Sequence, residues 1–299
     1  MTTGADALRR HAPGAADTLD DLVVTMWADV AAAGLTGVVT SCGAAMAGLL
    51  DLAPLQPSQP NSAEPGRETD DDSAVRAFAE QACLDVASVT DDQRAAFLAA
   101  AGDRAGTLAA ALWVVDFIPR TRAALDTLFA PGQWPESAAL PVPGGIWAAL
   151  DGLIRAVPVV DGLDAVTSEL VRLRGARQHD CRLCRSLRSR TALRAGATEE
   201  AFHAVDDYAH SNLSPLQRAA LALTDAMIWS PGRIDDTTVA GLQAEADPAQ
   251  QVELVLDVTR NALNKVAVAL GADAAHVEDG IEIYDVGPDG SLLYGLEPD

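Results

Sequence analysis

A pair of cysteines three residues apart is the feature of this sequence best suited to chemistry. Cys181 and Cys184 stand in the run Cys-Arg-Leu-Cys, in a chain of 299 residues with four cysteines. Two cysteines at this spacing at the start of a helix can close a small disulfide, and the thiolate is the reactive form of each. Asp180 is the predicted N-cap, and the helix N-terminus would lower the pKa of both thiols. We therefore interpret the pair as a redox-active dithiol.

The segment around the dithiol is strongly basic. Residues 172–194 contain eight arginines and one acid, Asp180. Arg188 follows Cys184 by four residues, which in a continuous helix places both on one face. We expect Arg188 to stabilise the Cys184 thiolate and Glu169, on the preceding predicted helix, to accept its proton. The alternative is that the arginines form a solvated face or pair with acids of another lobe or subunit.

Two other interpretations of the cysteine pair remain open. A Cys-x-x-Cys run is half of a zinc site, which His179, His203 or His210 would have to complete. The pair could also be structural, packed as small apolar side chains, which is what we expect of Cys42 and Cys83. We expect no bound metal and no cofactor.

Composition favours a helical protein of a reducing compartment. Hydrophobic residues make up 49% of the chain and aromatic residues 4%, with Ala, Leu and Val dominant, which predicts an all-α fold. The formal net charge of −22 argues against binding to nucleic acid or to an anionic membrane. Neither an arginine-led apolar leader nor an apolar run of about 20 residues is found, so we expect a cytoplasmic location.

Two proline-rich stretches, 52–73 and 130–145, read as linkers. They delimit a predicted N-terminal helical lobe (1–130) and a C-terminal helical lobe (146–277). The tail, 278–299, alternates in the manner of a β-hairpin and should pack on the helices or on a neighbouring subunit. We expect no catalytic role for this hairpin.

Hydrophobic periodicity and capping residues predict a series of helices in the second half. The expected spans are 146–156, 164–179, 181–195, 198–210, 215–228, a short helix from Asp235, and 247–270. Residues 78–128 align with 221–270 at an offset of about 144, which indicates an internal duplication. The N-terminal copy has no Cys-x-x-Cys and offers Cys42 alone, so we expect it to be redox-incompetent.

Residues 147–270 resemble the carboxymuconolactone decarboxylase and alkylhydroperoxidase D-like superfamily. The residues that carry the resemblance are Glu169, the spaced cysteine pair, the segment 208–227, and Asn261, Asn264 and Lys265. The resemblance implies two helical lobes, a homo-oligomer (trimer or dimer), and a thiol-dependent peroxidase or disulfide oxidoreductase that reduces small hydroperoxides. It implies that Cys184 attacks the peroxide, that Cys181 resolves the sulfenic acid, and that a thiol or dithiol donor reduces the pair.

One position departs from the pattern of that superfamily. Its enzymes carry a proton-relaying histidine four residues after the second cysteine, where this chain has Arg188. A guanidinium cannot accept the thiol proton, so the proton would pass to Glu169, to water or to His179. Two other functions stay open: a non-redox binding or scaffold protein, and a lactone decarboxylase-like enzyme that uses His179 or Glu169 without thiol chemistry.

Overall fold

Helices form most of the regular structure, as the sequence predicts. The computed structural model describes residues 2–57, 70–135 and 138–297. The α-helices are α1 (Gly4–His11), α2 (Pro13–Ala32), α3 (Thr36–Leu49), α4 (Asp70–Leu84), α5 (Asp91–Ala101), α6 (Ala105–Leu128), α7 (Gly145–Ala156), α8 (Ala165–Gln178), α9 (Arg182–Ser186), α10 (Arg190–Arg194), α11 (Glu199–Ala204), α12 (Pro215–Trp229), α13 (Asp236–Glu245), α14 (Pro248–Asn261) and α15 (Asn264–Ala269). Short 3-10 helices cover Val86–Ser88, Gly102–Arg104, Val157–Val159, Val205–His210 and Pro231–Arg233. The strands are β1 (Leu187–Ser189), β2 (Glu282–Val286) and β3 (Leu292–Leu296).

Helices α12 and α14 of the second half begin where their capping residues predict. At α12, the Ser214 hydroxyl accepts the Gln217 backbone N–H at 3.2 Å, and the Gln217 side chain accepts the Ser214 N–H at 3.0 Å. Asp247 and Gln250 make the same reciprocal pair at α14, and a proline follows each cap. Both backbone donors of each pair are thereby satisfied, which fixes the helix start.

The two halves of the chain repeat one order of helices. In the first half α4, the 3-10 turn Val86–Ser88, α5 and α6 follow one another; in the second half α12, the 3-10 turn Pro231–Arg233, α13, α14 and α15 do so. Helix α3 packs on α4 and α6, as α8 packs on α12 and α14, and α6 contacts α14 between the halves. The predicted repeat therefore has a counterpart in helix order and packing, and duplication remains our interpretation of it.

Helices α3 and α8 also end alike. Asp51 and Asp180, two residues beyond the helix ends, both adopt left-handed backbone with φ of 55° and 51°. In each case the next N–H, of Leu52 or Cys181, donates to a carbonyl in the last helical turn at 2.9 or 3.0 Å. These bonds satisfy carbonyls that the helix end leaves free.

This equivalence shows what the first half has in place of the cysteine pair. Counted from the shared left-handed aspartate, Leu52 and Leu55 occupy the positions of Cys181 and Cys184. Leu55 is buried in the core. The equivalent site of the first half is therefore apolar, and Cys42, within α3, is not its remnant.

The described parts of the linkers are anchored to the fold. Residues 58–69 of the first predicted linker lie outside the described residues, and its last four, 70–73, form the first turn of α4. Three aspartates in that turn favour the helix because they face its positive N-terminus. In the second linker, the Val142 N–H donates to the Thr25 hydroxyl at 2.8 Å.

The predicted helix 181–195 is wrong in its middle. It is split into α9, β1 and α10, because β1 pairs in parallel with β2, with Arg188 opposite Ile283. Strands β2 and β3 form the predicted C-terminal hairpin and pair antiparallel. The hairpin thus extends a sheet that starts three residues after Cys184.

The buried apolar residues of both halves form one continuous core. Within the described residues, the helical stretch Asp91–Leu128 is long and apolar enough to cross a membrane by length and composition. Half of its most apolar stretch is buried inside the fold. The core helix of a soluble protein has the same features, so this stretch is weak evidence for a membrane span.

A buried ionic cluster joins α6 to α15. Arg120, which is fully buried, donates to the Asp116 carboxylate at 2.7 Å, and the Lys265 ammonium donates to its other oxygen at 2.6 Å. Arg120 also donates to backbone carbonyls of α12 and to that of Cys83. One carboxylate therefore neutralises one of two buried cations and ties the halves together.

We expect Asp116→Asn to lower the free energy of unfolding by about 3–5 kcal/mol, because it leaves Arg120 and Lys265 as uncompensated buried cations. Lys265→Met leaves a neutral Asp116–Arg120 pair, so we expect a loss below about 1.5 kcal/mol. Urea unfolding followed by circular dichroism measures both variants. Equal losses would contradict this account of the cluster.

Candidate functional site

The two cysteines form the start of α9. Cys181, not Asp180 as predicted, is the N-cap, and its sulfur accepts the Cys184 backbone N–H at 3.2 Å. Asp180 instead takes the left-handed turn and pairs with Arg185. Both thiols are free of disulfides; Cys181 is 1% exposed and Cys184 is partly exposed. Of the pair, Cys184 is the thiol that a solute can reach.

The surroundings shift the pKa values of the two thiols in opposite directions. A hydrogen bond from the Cys181 thiol lowers the pKa of Cys184 to about 7, with help from the Arg172 charge and a hydrogen bond from Asn264, against the effect of burial. The same hydrogen bond, together with burial, raises the pKa of Cys181. Near neutral pH the pair therefore holds one thiolate, on Cys184, and one thiol, on Cys181.

Arg172 of α8 is the cation of the site. Its guanidinium donates to the Cys184 carbonyl at 2.7 Å and to the Leu187 carbonyl at 2.8 Å. Its remaining donors bind the Glu169 carboxylate at 2.6 and 2.7 Å. Because Arg172 is buried and paired with Glu169, its positive charge stays near Cys184, where little water screens it.

Glu169 is buried, and all its observed partners are donors. Besides Arg172, its carboxylate accepts the Ser189 N–H at 3.1 Å and the Tyr284 hydroxyl at 2.8 Å. Across the described ranges, no hydrogen bond joins it to either thiol. The residue predicted to accept the Cys184 proton therefore orients Arg172 instead.

The helical face that Arg188 and Cys184 were predicted to share does not form. Because α9 ends at Ser186, Arg188 belongs to β1 and does not share a helical face with Cys184. Its guanidinium donates to the Arg185 carbonyl and to Glu199, and stacks over the Phe202 ring at 5.0 Å. It also donates to the Leu187 carbonyl at 2.9 Å, and within the described residues none of its hydrogen bonds goes to a cysteine sulfur.

The arginines of the basic segment pair with acids of their own half of the chain, and not with another lobe or subunit. The ion pairs are Arg172–Glu169, Arg174–Asp225, Arg177–Asp206, Arg182–Asp273, Arg185–Asp180, Arg188–Glu199 and Arg190–Asp285. The local excess of positive charge in the sequence is therefore neutralised in the fold, and Arg172 is the arginine whose charge acts on Cys184.

His179 acts on the site through Asn264. Its Nδ1 lies 2.8 Å from the Asn264 side-chain oxygen, and the Asn264 amide donates to Cys184. Burial, and then the charge of Lys265, lowers the pKa of His179 to about 3, so the imidazole is neutral. An amide does not relay a proton in this arrangement, so His179 positions Asn264. Sequence reasoning missed Asn264 as a site residue, although it is among the residues that carry the resemblance.

The C-terminal hairpin completes the site. Tyr284 of β2 bonds to Glu169, and Arg172 lies over its ring at 5.2 Å. Burial, and then the nearby Cys184, raises the pKa of Tyr294 on β3. The segment expected to have no catalytic role therefore supports and flanks the reactive thiol.

The described residues contain no group of three or more His, Cys, Asp and Glu side chains placed to hold a metal ion. His179 bonds to Asn264, and His210 bonds to Asp207 on an exposed turn. The donors that a zinc site on the cysteine pair would need are therefore not assembled around it.

Two mycobacterial proteins are similar in sequence to this chain. It is 38% identical over 239 residues to the uncharacterized protein Rv2313c of Mycobacterium tuberculosis (strain ATCC 25618 / H37Rv), and equally to the uncharacterized protein MT2376 of strain CDC 1551 / Oshkosh. The match covers 76% of this chain and 82% of either relative. The chain belongs to the family of these mycobacterial proteins. Because both relatives are uncharacterized, membership of their family does not assign an activity to this chain. No family model and no solved structure matches it.

We expect Arg172→Gln to raise the pKa of Cys184 by about one unit or more, because the nearest positive charge is removed. Arg188→Gln makes the same chemical change and should leave that pKa unaltered. The pH dependence of Cys184 alkylation, followed by peptide mass spectrometry, measures both variants.

Because Arg172→Gln leaves Glu169 unpaired, the double variant Glu169→Gln/Arg172→Gln keeps the charge balance and should show the same shift. A shift in Arg188→Gln as large as in Arg172→Gln would refute the assignment of Arg172.

We expect Tyr284→Phe to lower the free energy of unfolding by about 1.5–3 kcal/mol, because the hydroxyl bonded to the Glu169 carboxylate is lost. Tyr294→Phe is the matched control on the neighbouring strand and should change it by less than about 0.5 kcal/mol. Thermal and urea unfolding measure both. A Tyr284→Phe protein as stable as the control would show that the hairpin does not hold the site.

Proposed function

We propose that the protein is a thiol-dependent peroxidase or disulfide oxidoreductase of the alkylhydroperoxidase D-like type. The observation that carries the proposal is the environment of Cys184: a partly exposed sulfur with its pKa lowered to about 7, in hydrogen-bond contact with a second thiol. A thiolate at neutral pH next to a protonated partner is the starting state for reversible disulfide chemistry.

In the proposed reaction the Cys184 thiolate attacks the terminal oxygen of a small hydroperoxide. The sulfur–oxygen bond forms, the oxygen–oxygen bond breaks, and the alkoxide leaves as the alcohol after taking a proton from water. Cys181 then attacks the sulfenic sulfur of Cys184, and water leaves as the disulfide forms. An external thiol or dithiol donates two electrons and restores both thiols.

Three side chains support this sequence of steps. Arg172 and Asn264 stabilise the Cys184 thiolate, and His179 holds Asn264 in place. The leaving alkoxide takes its proton from water in this scheme, because a guanidinium such as Arg188 does not supply one and Glu169 is engaged with its own donors. Because no proton relay to Cys184 is assembled among the described residues, we expect slow peroxide turnover relative to thiol–disulfide exchange.

The proposal extends to setting and partners. A dithiol that must be reduced in every cycle suits a cytoplasmic, reducing environment. The partners would be a small hydroperoxide and a thiol or dithiol donor, without nucleic acid or membrane, in keeping with the charge of −22. Assembly as a trimer or dimer is part of the same proposal, by the resemblance alone.

The other two functions have less support from the site. A decarboxylase-like enzyme would need His179 or Glu169 free to move a proton, whereas one is buried and bonded to Asn264 and the other is bonded to Arg172. A binding or scaffold protein has no need of a Cys184 pKa lowered by neighbours.

Reaction of each cysteine variant with one equivalent of hydroperoxide tests the proposal. We expect wild type to form the Cys181–Cys184 disulfide, Cys181→Ser to stop at a sulfenic acid that dimedone traps on Cys184, and Cys184→Ser not to react. Intact and peptide mass spectrometry measure all three. Hydroperoxide consumption by Cys184→Ser at the wild-type rate would exclude the proposal, as would a wild type in which no disulfide forms.

A further inference from the structure

A polar cavity of about 330 Å³ lies between the two halves of the chain. Its wall combines the start of α5 and the turn before it with the residues on either side of Cys181 and the segment after α15. Its charged lining side chains are Asp91, Arg94, Asp180, Arg182 and Asp273. One water needs about 10–15 Å³ by the same measure, so the cavity has room for a ligand of amino-acid size or larger.

Asp273 connects this cavity to the dithiol. It is buried and lines the cavity. Its carboxylate accepts the Arg182 N–H at 2.8 Å, and its carbonyl accepts the Leu183 N–H at 2.9 Å. Arg182 and Leu183 are the two residues between the cysteines, and the Asp273 charge acts on both thiols. The cavity therefore adjoins the cysteine pair.

The cavity offers free hydrogen-bonding groups of both charges. Within the described residues, one terminal nitrogen of Arg94 and one of Arg182 donate to no acceptor. One carboxylate oxygen of Asp91 and one of Asp180 accept no hydrogen bond from that part of the chain. The cavity can therefore receive an anionic group and a cationic group of one ligand.

The charges that line the cavity are already balanced. Each lining carboxylate pairs with an arginine: Asp91–Arg94, Asp273–Arg182 and Asp180–Arg185. A ligand with a net charge would upset this balance. A zwitterion keeps the balance and still bonds to free groups of both signs, so the cavity favours a zwitterion.

We propose that this cavity binds the α-ammonium and α-carboxylate of an amino-acid thiol of the cysteine type, which serves as the electron donor to the dithiol. The inference rests on the proposed function, for which it names the donor. The free donors of Arg94 and Arg182 receive the carboxylate, and the free oxygens of Asp91 and Asp180 receive the ammonium. Binding there brings the donor thiol next to the segment that holds both cysteines, which favours its attack.

In the proposed reduction a donor thiolate attacks Cys184, the accessible sulfur of the disulfide. A bond forms between the donor and Cys184, the Cys181–Cys184 bond breaks, and Cys181 leaves as a thiolate that takes a proton from water. A second donor thiolate then attacks the donor sulfur of this mixed disulfide, which releases the Cys184 thiolate and one donor disulfide. Two donor thiols are oxidised, and two electrons reduce the protein.

The rates at which two thiols reduce the protein test this inference. The disulfide is formed in the full chain with diamide, and quenched mass spectrometry gives the rate constants for reduction by L-cysteine and by neutral 2-mercaptoethanol. We expect Asp91→Asn and Arg94→Gln each to lower the rate constant for cysteine about three- to fivefold, because one contact of an exposed ion pair is lost. The rate constant for 2-mercaptoethanol should stay unchanged, which also shows that both variants are folded.

Asp92→Asn and Arg104→Gln are the matched controls. Asp92 follows Asp91 in the same exposed helical turn, and Arg104 donates to a backbone carbonyl as Arg94 does. Neither control residue lines the cavity. Both variants should be reduced at the wild-type rate by either thiol.

NMR titration of the reduced wild type with L-serine tests the cavity without any redox step, because serine has the same two charges and no thiol. We expect saturable shifts of the backbone amide signals of residues 180–183 and 271–273. Their absence would overturn the inference, as would unaltered cysteine rates in both Asp91→Asn and Arg94→Gln, or an equal loss in Asp92→Asn. A wild type that forms no disulfide with diamide would contradict the proposed function and the donor role, and the serine titration would then decide the cavity separately.

Discussion

The buried guanidinium of Arg172 is the interaction on which the candidate site depends. It links α8 to the cysteine helix through the carbonyls of Cys184 and Leu187, and to the C-terminal hairpin through the shared carboxylate of Glu169 and the Tyr284 hydroxyl. Arg172 and its Glu169 partner thus join the neighbouring helices α8 and α9 to a hairpin that comes much later in the sequence. Because the same charge lowers the pKa of Cys184, the group that assembles the site also activates it.

The two halves use one helical arrangement for different purposes. At the offset of 144 the position of Asn264 in the second half is that of Arg120 in the first. One supplies a neutral amide to the reactive thiol, and the other is a fully buried cation in an ion cluster. Helix α15 carries Asn264 and Lys265 side by side, so a single turn serves both arrangements. The neutral imidazole of His179 contacts Asn264, and the Lys265 charge helps to lower its pKa.

Local signals in the sequence predicted local structure well and long-range contacts poorly. The cap at Ser214, the helical class and the hairpin follow from residues close in the chain. The position of Arg188 could not be predicted in this way. Strand β2, almost 100 residues later, pairs with β1 and so ends the helix that would have placed Arg188 and Cys184 on one face. The leucines that replace the cysteine pair were also missed, because the equivalent Asp51 and Asp180 lie 129 residues apart while later helices repeat at about 144. A search at one fixed offset passes over them.

The most direct test of the account is the ionisation of Cys184 itself. The ultraviolet absorbance of the thiolate, recorded against pH for the wild type and for the double variant Cys181→Ser/Cys184→Ser, gives the titration of the cysteine pair as the difference, and its first step is that of Cys184. The account predicts an apparent pKa of about 7. A difference curve that rises only near the free-thiol value of about 8.5 or above would contradict it, since the contacts of Arg172 and Asn264 would then not stabilise a thiolate.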